Sequence, residues 1–175
     1  MKLIVYVVWL CAALLGLSAH AQNLQPVPAL TARVVDTTRT LDAAARQTLE
    51  AKLEALEKRK GSQVVVLIVP TTLPEDITSY ANRVANEWKI GRKEVGDGVL
   101  VIMAKTDRKL RIEVAKTLEG ALPDLAVKQI IDEALAPGLR SGDYAGGISA
   151  TIDGLTKRID AESLPEVAAK EGGGL

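Results

Sequence analysis

The stretch Gly98–Val114 limits the fold of this chain more than any other. Val99 to Ala104 is an unbroken apolar run of strand length, the pattern of a strand buried on both faces. Lys105-Thr106-Asp107-Arg108 is polar and reads as a turn. From Lys109 to Val114 the chain alternates. Leu110, Ile112 and Val114 point one way and Lys109, Arg111 and Glu113 the other, which describes a half-buried strand. Two strands joined by about four residues form an antiparallel hairpin. The rest of the chain must pack on this hairpin or connect to it.

The flanking segments supply the cover. Val64 to Val69 is mostly β-branched and ends at Pro70, so it reads as a second doubly buried strand. Glu75 to Ile90 carries Ile77, Tyr80, Ala81, Val84 and Trp88 as one helical stripe closed by Gly91. Tyr80 and Trp88 are expected in the core. Strand, helix and strand form a βαβ unit with parallel strands, a crossover that is almost always right-handed. Upstream, Arg33–Asp36 is a short strand candidate. Asp42 to Lys60 is a helix capped by Asp42 and ended by Gly61, with Leu49, Leu53 and Leu56 inward. Glu54 and Lys58 are an i,i+4 pair on a solvated face that also carries Glu57, Arg59 and Lys60.

Downstream, Leu125 to Leu135 is a third helix with Val127, Ile130, Ile131 and Ala134 inward, broken by Pro137-Gly138. Tyr144 to Asp160 is a fourth, capped by Asp143 or Ser141. Gly146-Gly147 near its start weakens it as a helix and points to close packing there. The expected architecture is an α/β domain, a mixed sheet of about four strands with helices on both faces.

The first residues read as a leader rather than as fold. Lys2, an apolar run from Leu3 to Leu17 and Ala19-His20-Ala21 make a secretory signal peptide cut after Ala21; the alternative is a retained anchor. Domain boundaries follow: 1–21 signal peptide, 22–30 linker, 31–160 domain, 161–175 tail. Cleavage removes the only Cys, Cys11, and the only His, His20. That excludes a disulfide, a cysteine nucleophile, a zinc site built on His or Cys, and a Ser-His-Asp triad from the exported chain. Loss of Lys2 from 22 basic residues leaves them one short of the 22 acidic ones, so nothing points to nucleic acid. The chemistry must rest on carboxylates, hydroxyls, Lys, Arg or a hard metal held by oxygen.

No phosphate loop, dinucleotide fingerprint or nucleophile elbow is present. In an open α/β sheet, sites form at the carboxyl ends of parallel strands. Pro70-Thr71-Thr72, Lys105-Thr106-Asp107 and Asp36 belong there, so Asp36 and Asp107 are expected to share one rim. Asp97, Glu113 and Glu119 fall at the other, where Ala115-Lys116-Thr117 approaches the loop holding Asp97. Asp97 and Asp107 also have plain readings as turn residues.

Several short stretches come in a recognisable order: Pro28-Ala-Leu-Thr-Ala-Arg-Val-Val-Asp36, Trp88-Lys-Ile-Gly-Arg92, Asp97-Gly-Val-Leu100, Asp107 to Val114, Leu118-Glu-Gly120 and Gly142-Asp-Tyr144. From Val27 to Ile159 the chain resembles the TPM domain family. The resemblance implies an α/β/α sandwich outside the cytoplasm. It also implies calcium binding or acid phosphatase activity, as in some relatives, or an auxiliary role for membrane protein complexes, as in others. Under the phosphatase reading, Asp36 and Asp97 are the carboxylates and Arg111 or Lys116 binds phosphate. Under the metal reading, Asp97, Glu94 and Glu119 are the ligands.

The chain departs from the family pattern in three places. It has Gly96-Asp97-Gly98 where two carboxylates are usual. It has Ala115-Lys116-Thr117 where Gly-Tyr-Gly is usual. It has only Gly172-Gly173-Gly174 where a membrane helix and long tail often follow. The first two weaken the metal and phosphatase readings, and the third favours a soluble form, periplasmic or secreted. The expectation is therefore an exported auxiliary protein for assembly, turnover or quality control of envelope proteins, with an envelope or membrane complex as partner. No cofactor is required and calcium binds weakly at most. The sequence sets no oligomeric state.

Overall fold

The computed structural model describes residues 23–164. The leader, Cys11, His20 and the tail beyond residue 164 lie outside these residues, and so does the expected cleavage site.

A four-stranded sheet runs in the order β1 (Val34–Asp36), β2 (Gln63–Val69), β3 (Gly98–Ala104), β4 (Lys109–Val114). The first three strands are parallel and β4 is antiparallel to β3, with Val99 opposite Val114 and Met103 opposite Leu110. β2 and β3 are the interior strands, and Val64 to Ala104 within them are buried on both faces. The hairpin and the βαβ unit expected from the sequence are both present.

Helix α1 (Ala43–Lys60) starts where Asp42 accepts the Ala45 N–H at 2.7 Å and ends where Gly61 turns left-handed. Helix α2 (Ile77–Trp88) is capped by Asp76 and closed by Lys89, itself at φ +51°, rather than by Gly91. The two helices lie on opposite faces of the sheet. Leu49, Leu53 and Leu56 of α1 share a core with Val64, Val66, Val99 and Val101. Tyr80, Ala81 and Val84 of α2 share one with Val65, Leu67, Leu100 and Ile102. Both crossovers step the same way across the sheet, from β1 to β2 and from β2 to β3. Helices on opposite faces therefore give the two crossovers opposite hands, so the right-handed preference holds for one of them only.

The α1 face is completed by α3 (Asp124–Ile130), a π turn over Ile131–Leu135, α4 (Ala136–Ser141) and α5 (Tyr144–Asp160). Pro137 does not break this run. It has no N–H for the carbonyl four residues back. The π turn just before it shifts the register, and the Ala136 N–H reaches the Ile131 carbonyl instead. The extra residue also changes which side chain faces in. After Ile130 the buried position is Leu135, not Ala134. Gly138 then crosses α5 at Gly147. A Cβ on Gly138 would lie 2.6 Å from the Gly147 Cα, and one on Gly147 would lie 2.8 Å from the Gly138 Cα. The close packing expected at Gly146-Gly147 is this crossing.

Three further expectations are refined. The charged end of α1 is a solvated face that also ties α1 to its neighbours. Glu57 pairs with Arg33 at 2.7 Å, Arg59 with Asp160 at 2.9 Å, and Lys60 donates to the carbonyls of Asp160 and Glu162; Glu54 and Lys58 do form their i,i+4 pair. The expected linker is extended but docked on α2. The Tyr80 hydroxyl donates to Pro26 O at 3.2 Å, Trp88 Nε1 to Pro28 O at 2.8 Å, and Arg83 to Gln25 O at 2.8 Å. Tyr80 is fully buried, whereas Trp88 is half-buried at the edge of the second core under this segment.

Candidate functional site

The carboxyl ends of β1, β2 and β3 open on one rim. Asp36 ends β1, and its carboxylate turns back into its own loop. Oδ1 accepts from the Thr38 N–H at 2.9 Å and hydroxyl at 2.7 Å, and Oδ2 accepts from the Leu41 N–H at 2.8 Å. Asp107 follows β3. It accepts from the Thr71 hydroxyl at 2.7 Å and the Thr72 N–H at 2.8 Å, tying the β2 loop to the hairpin turn. Both carboxylates are therefore structural acceptors, engaged by the loops around them.

Between these loops and the α4–α5 junction lies a cleft of about 820 Å³. Its walls are Thr38, Pro70, Lys105, Thr106, Arg108, Leu139, Arg140, Ser141, Gly142 and Tyr144. Three of these are cations and none is acidic. Lys105 is partly buried, 3.2 Å from the Thr40 hydroxyl and 4.8 Å from the centre of the Tyr144 ring, a cation–π arrangement. Arg108 and Arg140 are exposed, and their side chains have no hydrogen bond or ion pair among the described residues. Asp143 adjoins the cleft but caps α5, accepting the Gly146 N–H at 2.9 Å. Carboxylates thus surround this site in sequence while cations and hydroxyls line it in space.

The opposite rim is closed. Asp97 is completely buried, and Arg92 fixes both its oxygens through the backbone N–H at 2.8 Å, Nε at 2.9 Å and Nη2 at 2.7 Å. Gly98 lets the loop fold onto itself, since a Cβ there would lie 2.2 Å from Ile90 O. The Thr117 hydroxyl donates to Val95 O, so the Ala115-Lys116-Thr117 segment does lie beside the Asp97 loop. Glu94 and Lys116 are exposed there. Glu119 lines a separate groove along β4 with Asp124 and Lys128. Arg111 pairs with Glu113, two residues on along the same face of β4, at 2.8 Å. Asp97, Glu94 and Glu119 do not converge, and among the described residues no group of three or more His, Cys, Asp or Glu side chains is placed to hold a metal.

Of the residues singled out in the sequence, Asp36 and Asp107 share a rim, while Asp97 is at the other end of the sheet. Arg108, Arg140, Thr38 and Tyr144 were not among the candidates. The strand-end rule reaches Arg108, which continues the Lys105-Thr106-Asp107 turn. Arg140 and Tyr144 arrive from a distant helical run, and no local pattern marks them.

The family profile of the TPM domain matches residues 34–158, β1 to the end of α5. The chain belongs to the TPM domain family. No curated protein matches it. Among solved structures it is similar to the N-terminal domain of a P. gingivalis protein, at 26% identity and TM-score 0.70, covering 77% of this chain and 88% of that one. It is also similar to the N-terminal domain of the cg2496 protein of Corynebacterium glutamicum (12% identity, TM-score 0.61, 83% and 96% covered). The BA42 protein of Bizionia argentinensis is a third (18% identity, TM-score 0.62, 71% and 84% covered). The last two likenesses concern the fold alone. The TPM domain here thus carries a cationic cleft at its carboxyl rim and a buried ion pair at the other.

Proposed function

We propose that this TPM-domain protein is exported and acts as an auxiliary binding protein in the assembly, turnover or quality control of envelope proteins. One observation carries the preference for binding over hydrolysis: at the rim where an open α/β sheet presents its site, Asp36 and Asp107 are engaged by backbone N–H groups and hydroxyls, and the cleft is lined by cations, hydroxyls and apolar wall with no carboxylate among them. A phosphomonoesterase without a metal needs a nucleophile or general base beside the bound phosphate. Asp97, the other carboxylate considered for that role, is buried against Arg92. Export is supported by the pattern of residues 1–21.

The test is crosslinking in the envelope followed by recovery of the chain, alongside a phosphomonoester assay with and without calcium or magnesium. A reproducible envelope partner and hydrolysis at background are expected. Hydrolysis that Asp36→Asn or Asp107→Asn abolishes in a folded protein would replace the binding reading with the phosphatase one. Sequencing of the exported chain is expected to begin at Gln22.

A further inference from the structure

We infer that the cleft formed by Lys105, Arg108 and Arg140 is a docking site for an acidic peptide segment of a partner protein. The inference rests on the binding reading above and adds the chemistry of the partner. Its first support is charge: Lys105 and Arg108 from the hairpin turn and Arg140 from α4 face one cleft, with no carboxylate among its walls. Such a surface attracts an anion and disfavours a neutral or basic partner.

The second support is the state of the backbone. Small oxyanions such as phosphate are held by converging N–H groups in a nest or at a helix start. Here the N–H groups of Thr38, Thr72, Lys105, Thr106 and Arg108 already donate to Asp36, Asp107, Val69, Pro70 and Lys105 respectively. These strand-end loops therefore offer side-chain cations rather than N–H groups, at a cleft of about 820 Å³, a volume typical of sites for much larger groups than a single phosphate. Pro70, Leu139 and the Tyr144 ring give it apolar wall beside the charges. That combination suits carboxylates carried on a chain with aliphatic stems.

The third support is Arg108 itself. It sits at φ +54° in the hairpin turn, a conformation that glycine or asparagine adopts more readily. The turn holds at the cleft an arginine whose side chain has no partner among the described residues in spite of that.

The test uses the chain purified after export and a fluorescent peptide alternating Glu and Leu, read by anisotropy. The Gln/Leu peptide and inorganic phosphate are the comparison ligands. The Glu peptide is expected to bind, to weaken as salt rises, and to bind roughly tenfold more weakly to Arg108→Gln/Arg140→Gln. Lys157→Gln, an exposed cation near the end of α5, is expected to bind as the parent does. Both arginines are exposed, so the double variant is expected to melt with the parent. Equal binding of the Glu and Gln peptides overturns the inference, as does unchanged binding in the double variant. Binding of phosphate without the Glu peptide overturns it in favour of a small-oxyanion site. No cell extract is involved, so failure here counts against the cleft, whereas an empty crosslinking recovery counts against the auxiliary role.

Discussion

The crossing of Gly138 over Gly147 gives a prediction whose sign depends on geometry alone. Gly147 and Gly154 lie in the same helix, α5, and alanine is favoured over glycine in a helix interior by about 1 kcal/mol. At Gly154 a new Cβ would meet the Ile130 side chain at 3.4 Å, an ordinary contact. Gly154→Ala should therefore keep most of the propensity gain, up to about 1 kcal/mol, and raise the melting point by about 2–4 °C. At Gly147 the Cβ would be 2.8 Å from the Gly138 Cα and 3.3 Å from Ala134 O, both backbone. Backbone cannot rotate away, so the helices must part. Overpacking costs about 1–3 kcal/mol, and a backbone contact belongs in the upper half of that range. Less the propensity gain, Gly147→Ala should lose about 1–2 kcal/mol and melt roughly 2–8 °C lower. Circular dichroism melts and urea titrations of the two variants read this directly. The same direction of change in both would refute the crossing.

Four further outcomes are expected. Val66→Asp, placing a charge where the parent side chain is 1% exposed, should prevent folding, while Arg111→Ala on the solvent side of β4 should change stability by no more than about 0.5 kcal/mol; similar melts would mean the strand faces are misassigned. Arg92→Leu takes the guanidinium partner from the buried Asp97, and should cost about 3–5 kcal/mol, with the double variant Arg92→Leu/Asp97→Asn recovering part of that in denaturant titrations. Melts in about 1 mM calcium against chelator should differ by no more than about 1–2 °C, since binding no tighter than about millimolar adds about 0.4 kcal/mol at that concentration; a clear rise that Asp97→Asn removes would contradict the site geometry. The Ser79 hydroxyl, then the Ser79 and Thr78 N–H groups, hold the Asp76 carboxyl below its usual range; this lowered group contributes stability above the usual carboxylate pKa and loses it as pH falls through the depressed one, so Asp76→Asn should flatten the acid side of the melting profile.

Much of the fold was legible because it rests on local pattern. The β-branched run at Val64–Val69 and the alternation at Lys109–Val114 are periodic signals that burial enforces. Asp42, Gly61 and Asp143 mark helix ends with their own chemistry. Pro137 misled because its effect depends on whether a helix can absorb a missing N–H, and a π turn does that without any residue-level signature. Opposite crossover hands were equally hidden, since no short stretch records which face a helix lands on. For the site, the strand-end rule points to the rim that holds the cationic cleft, but it singles out carboxylates there because of their type. Asp36 and Asp97 are acceptors for their own loops, and Asp107 for the loop after β2. Arg140 joins Lys105 and Arg108 only when α4 and α5 close over the hairpin turn.

The strand order has a bearing on how the chain is made. Each strand pairs with the one synthesised just before it, so the sheet grows at one open edge and never has to admit a late strand between two early ones. Its two faces are finished at different times. α2 covers one face before the hairpin exists, whereas α3 to α5 come after Val114. Until they dock, Val99, Val101, Met103 and Ile112 have only α1 over part of their face. Chains stopped between Val114 and Tyr144 should bind a hydrophobic dye that the whole chain excludes. The interval before α5 arrives is when this protein is most exposed to aggregation and most dependent on protection.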